Sequence, residues 1–125
     1  MYSIITVNLL TSNLTNIEKH RPDGWTVINV DSLFEAGSIW RTSQLNKLLN
    51  KPKAIILESD HNDKLHMKIE KDIRDIKKSD RDIQIVVCMP NYEHVTIPAG
   101  TDHIFFYPVN GEKFWEAILK RINNG

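Results

Sequence analysis

The side chains best placed for chemistry follow a short apolar run. Ala54–Leu57 leads directly into Glu58, Ser59 and Asp60, with Asp63 close behind. A carboxylate in that setting suits a general base or a cation ligand. General-base work also needs an electrophilic partner, and the sequence offers none beside Glu58. Asp60 and Asp63 read as caps of the helix that follows. Cys88 is the only cysteine, so it has no thiol partner for a metal or a disulfide. Inside an apolar run it reads as a buried structural thiol. His20, His61, His66, His94 and His103 read as surface or loop residues. His61 and His66 are five apart, which does not stack two zinc ligands on one helix face. Gly24, Gly37, Gly100 and Gly111 are isolated, so there is no glycine-rich phosphate cradle. The Asn13-Leu14-Thr15 glycosylation match is fortuitous in an intracellular chain.

The frame that must hold these residues is one ordinary domain of 125 residues. Sixteen basic and sixteen acidic side chains give a formal charge of zero. That balance argues against direct nucleic-acid binding. A single cysteine points to a reducing, cytoplasmic setting. No apolar run approaches the roughly 18 residues of a membrane span, and Met1–Leu10 lacks the pattern of a signal peptide. The tail Asn123-Asn124-Gly125 reads as the start of a linker, so a downstream output domain is an expectation.

Short apolar runs alternate with amphipathic stretches. Ile4, Ile5 and Val7 mark a first strand, Trp25–Val30 a second, Ala54–Leu57 a third, Ile83–Met89 a fourth and His103–Tyr107 a fifth. Between the first two, Thr11–Arg21 reads as a weak helix with Thr11, Ser12 and Asn13 as cap candidates. Pro22-Asp23-Gly24 is a turn. Asp31–Trp40 is ambiguous, with Gly37 expected to interrupt any long helix; Leu45, Leu48 and Leu49 then share a helix face. The clearest helix spans Asp63–Ser79, with Leu65, Ile69, Ile73 and Ile76 on one face and mixed charges elsewhere. Asn91–Gly100 has room for a short helix. Gly111–Asn123 is the last, built on Phe114, Ile118 and Ile122. Five strands alternating with helices imply an α/β sandwich around a mostly parallel sheet.

In order and separation these landmarks resemble the receiver domain of response regulators over nearly the whole chain. Lys51-Pro52-Lys53-Ala54-Ile55-Ile56-Leu57-Glu58 is similar to the third strand that carries the phosphoacceptor aspartate. Asp102–Pro108 is similar to the fifth strand. The resemblance implies a CheY-like, flavodoxin-like sandwich with a five-stranded parallel sheet of order 2-1-3-4-5. It also implies a cis peptide at Tyr107-Pro108. The family's reactive set is altered here. Asn8 and Leu9 fall where receivers place a pair of acids for Mg²⁺, and Glu58 stands at the acceptor position. Cys88 or Met89 falls where a hydroxyl is expected, and Tyr107, before Pro108, replaces the lysine. Without the acids and the lysine, both cationic partners of phosphoryl transfer are lost. The resemblance therefore implies a pseudo-receiver with no catalytic residues, no cofactor and no metal.

Such a chain would act through protein contact, with a partner or with its own copy, in bacterial two-component signalling or transcription control. The face expected to serve is formed by the helix before the fifth strand, that strand and the last helix. Tyr92, His103, Phe105 and Trp115 are its candidates. Neighbours on a strand point to opposite faces, so Phe105 and Phe106 cannot both lie in one layer. A second reading is a small-molecule sensor, with Asn8, Glu58, Cys88 and Tyr107 lining a crevice at the carboxyl ends of the strands.

Overall fold

The computed structural model describes residues 2–45, 51–58, 63–90 and 97–124. Its elements are β1 (Tyr2–Val7), α1 (Thr11–Lys19), β2 (Trp25–Val30), α2 (Leu33–Leu45), β3 (Pro52–Glu58), α3 (Asp63–Ser79), β4 (Gln84–Met89), β5 (His103–Phe106) and α4 (Gly111–Asn124). The strands form one parallel sheet in the order β2-β1-β3-β4-β5, as expected. Strand order reverses at β1, with β2 to one side of it and β3 to the other. Right-handed crossovers then place α1 on one face of the sheet and α2 and α3 on the opposite face.

The core divides along that line. Ile4, Ala54, Ile56, Val86 and Cys88 pack with Ile17 of α1 and Phe114, Trp115 and Ile118 of α4. Ile5, Ile55, Leu57 and Ile85 pack with Trp40 of α2 and Ile69, Ile73 and Ile76 of α3. The two sets alternate along each strand, as the pleat demands. Every residue of β4 is buried, which is why the central strands read as unbroken apolar runs. Each large aliphatic side chain buried this way contributes about 1.5–3 kcal/mol.

α3 and α4 match the periodic segments closely, but α2 does not. It begins at Leu33 and passes through Gly37 without a break. A mid-helix glycine costs about 1 kcal/mol. Burial of Ala36 and Trp40, one turn apart, offsets that cost. The N-terminus of α2 is also capped: Glu35 N donates to Ser32 Oγ (3.2 Å), and Asp31 N donates to Glu35 Oε2 (3.3 Å). Leu45 belongs to this helix, whereas Leu48 and Leu49 lie outside the described residues. So does most of the short helix expected over Asn91–Gly100. The Pro22-Asp23-Gly24 turn is present, with Gly24 at φ +83°. β4 starts one residue later than expected and β5 ends one earlier, although Tyr107 N still donates to Met89 O (3.0 Å).

Candidate functional site

The carboxyl ends of β1 and β3 meet where the strand order reverses, the usual binding position in an open α/β sheet. Asn8 follows β1 in a left-handed conformation (φ 48°), which asparagine tolerates better than most residues. Its N–H donates to Val30 O (2.8 Å). Leu9 turns inward and is buried in the α1/α4 core.

Glu58, the last residue of β3, reaches across to this loop. Its Oε1 accepts from Leu10 N (2.5 Å) and from Asn13 Nδ2 (3.5 Å). α1 has no side-chain cap of its own and no acid in its first turn. Glu58 supplies both the acceptor and the negative charge that a helix N-terminus favours. The expected caps Thr11, Ser12 and Asn13 are therefore corrected: α1 starts at Thr11, and its cap comes from another strand. Among the described residues, no lysine or arginine forms an ion pair with Glu58.

Asn13, which the sequence offers only as a cap candidate or a chance sequon, extends the connection. It is buried, and its Oδ1 accepts from Val109 N (3.1 Å). Asn16 Nδ2 donates to Val109 O (3.0 Å). Both backbone groups of Val109 are thus held by α1. Close backbone contact at the start of α4 completes the joint, since a Cβ on Gly111 would meet Asn16 O at 2.1 Å. The only hint in the sequence was two asparagines three residues apart on one helix face.

Cys88 is paired with Glu58 in the strand register and is fully buried. Burial, then the Glu58 charge, pushes its thiol up to about 12, so it stays protonated and unreactive. Met89 is also buried, and neither residue offers a hydroxyl. Tyr107 is half-buried beside the α1/α4 core, Pro108 is exposed, and the peptide between them is cis.

A cleft of about 460 Å³ opens at this end of the sheet. Asn8, Glu58 and Tyr107 line it together with Leu10, Asp31 and Leu33. Cys88 does not, which corrects that member of the expected crevice: its side chain lies in the α1/α4 core. The donor set fits a divalent cation poorly. Asn8 and Leu9 bring one amide and a hydrocarbon, one Glu58 oxygen is already committed to the α1 N-terminus, and Asp31 is the one other carboxylate among the described lining residues.

The expected interface residues separate. Trp115 is buried, and its indole N–H donates to Ile17 O (2.7 Å), so it is a core residue and not a surface one. It sits in a row of rings that runs Tyr2, Trp25, Trp115, Phe114, Phe105, with centroid spacings of 5.0, 5.4, 5.3 and 5.6 Å. Phe105 closes that row half-buried, and its neighbour Phe106 is the exposed one at 44%. His103 is half-buried, with Nε2 2.7 Å from Gln84 Oε1. Burial and then Arg121 lower its pKa, against the pull of Asp102. Tyr92, His61, His94 and Asp60 lie outside the described residues.

Solved structures place the fold in a known class. The chain is similar to a CheY-like protein, TadZ, from Pseudomonas aeruginosa PAO1 (8% identity, TM-score 0.66), over 97% of this chain and 93% of that one. It is similar to a response regulator from Desulfuromonas acetoxidans (17%, 0.63), over 98% and 96%. A two-component transcriptional regulator AraC from Clostridium phytofermentans ISDg also aligns (12%, 0.61), over 98% and 93%. No protein-family model matches the chain, and no curated protein matches its sequence significantly. The fold is that of the CheY-like receivers. No helix among the described residues is long and apolar enough to cross a membrane.

Proposed function

We propose that this chain is a pseudo-receiver: a regulatory domain that works by protein contact, without phosphoryl transfer, in bacterial signalling or transcription control. One observation carries the reading. The carboxylate at the acceptor position is engaged as the cap of α1, by neutral donors alone among the described residues. Phosphoryl transfer to a carboxylate requires cationic charge beside it, from metal and lysine, to stabilise the transition state. Asn8, Leu9 and Tyr107 supply neither. The partner face in this reading is the β5 edge, where His103, Ile104 and Phe105 are partly exposed and Phe106 is exposed. A fused output domain fits the same role.

The test is incubation with acetyl phosphate and Mg²⁺, read by intact mass. The expected result is an unchanged mass. An adduct of one phosphoryl group that disappears in Glu58→Gln overturns the proposal. The 460 Å³ cleft favours a second reading, a sensor of small ligands. A thermal-shift screen tests it, since a ligand that binds only the native state raises the midpoint.

A further inference from the structure

In a parallel sheet every strand ends, and every following helix begins, on the same side. Exposed apolar side chains gather on that side here. Leu10 precedes α1 and is 51% exposed, Phe34 in the first turn of α2 is 78% exposed, and Met67 near the start of α3 is 73% exposed. Leu10 lines the cleft, and Phe34 lines a second groove of about 300 Å³ between α2 and α3, which shares Ser32 and Leu33 with the cleft. Scattered apolar residues need no explanation, but a cluster bordering a cleft marks a contact surface.

Charge specifies the occupant. Among the described residues lining the larger cleft, Asp31 and Glu58 are the charged ones, and both are carboxylates. The Glu58 oxygen that is engaged faces neutral donors, and the exposed Asp31 carboxylate has no described partner. We propose that this end of the sheet docks an apolar segment of a partner protein carrying a lysine or arginine. The apolar side chains enter between Leu10 and Leu33, and the cation lies against Asp31 and Glu58. Opposite charge beside an apolar contact sets orientation and partner choice. This surface is separate from the β5 edge, so it stands or falls independently of the partner face proposed above.

The test is panning of phage-displayed random dodecapeptides on the intact chain, followed by fluorescence anisotropy with the enriched peptides. Expected are apolar peptides bearing Lys or Arg, whose affinity falls at least about tenfold in Asp31→Lys, with a smaller loss in Leu10→Ser. Phe106→Ser leaves that affinity unchanged. Melting curves confirm that each variant is folded. An absence of enriched peptides, enrichment of acidic ones, or affinity lost in Phe106→Ser but kept in Asp31→Lys overturns the proposal. So does concentration-dependent dimerisation abolished by Asp31→Lys, which would make a second copy of the chain the occupant. Failure here leaves the pseudo-receiver reading intact, because that reading is decided by the phosphorylation assay.

Discussion

Two carboxylates, one at each end of the sheet, have opposite surroundings. Asp102 lies just before β5 at the amino end and accepts from Lys77 Nζ (2.7 Å), Arg121 Nη1 (2.7 Å) and Ile85 N (2.8 Å). Glu58 lies at the carboxyl end of β3 and accepts from a backbone N–H and an amide. The cation-rich setting is therefore at the amino end of the sheet, around Asp102, and not around Glu58. Lys77 belongs to α3 and Arg121 to α4, helices on opposite faces. Asp102 joins the two layers around the sheet edge, whereas Glu58 joins a strand to the start of one helix.

Five perturbations test that contrast, beginning with the largest effect. Cys88 sits beside Glu58 with its thiol raised to about 12 from an ordinary 9.0. Its native reaction with a thiol reagent at pH 8 should run about a thousandfold slower than in urea. A fast native reaction, followed by absorbance, would show that the thiol is not held in the buried core.

Asp102→Ala should destabilise the domain by about 2–3 kcal/mol, measured by urea unfolding, because it strands Ile85 N and two cations. The partial exposure of Lys77 and Arg121 keeps the loss below that of a fully buried pair. Asp102→Asn, which keeps an acceptor for Ile85 N, should cost less. At the other end, Asn13→Ala should cost about 1–2 kcal/mol by leaving Val109 N unsatisfied. Glu58→Gln keeps an acceptor for Leu10 N and should cost only about 0.5 kcal/mol. If Glu58→Gln exceeded Asp102→Asn, the contrast between the two ends would collapse.

The smallest effect is on pH dependence. Burial raises the Asp102 carboxyl pKa, but Lys77, the Ile85 N–H and Arg121 together hold it below its ordinary 3.8. A depressed carboxyl pKa means stability that is present above the unfolded value and lost as pH falls through the folded one. His103, held below its ordinary 6.5, has the same sign and acts earlier in the descent. Urea midpoints should therefore decline slightly just below pH 6.5 and more steeply below about pH 4. Asp102→Asn should flatten the second step.

Much of this arrangement could be read in the residues. Parallel strands covered on both faces leave unbroken apolar runs, so the sheet was visible, and α3 and α4 followed from periodicity. α2 escaped because Gly37 and the polar Ser38, Thr42 and Ser43 blur its apolar face. Its real signal was the Ser32-x-x-Glu35 cap. Glu58 stood out as a carboxylate closing the third apolar run, yet its partners did not. Leu10 contributes a backbone N–H, which has no residue signature, and Asn13 meets Glu58 and Val109 across 45 and 96 residues. Trp115 was misplaced because α4 buries Phe114 and Trp115 side by side, so its inner face is wider than one apolar stripe suggests.

Asp102 has one more effect, on how the chain behaves in a crowded solution. β5 is a border strand of only four residues, and its neighbour β4 (Gln84–Met89) is buried throughout and apolar after Gln84. Where β5 enters the sheet, the carboxylate fastens it to both helical layers. Were that fastening cut, β4 would present an unguarded rim to other molecules, and the damage would appear as precipitation.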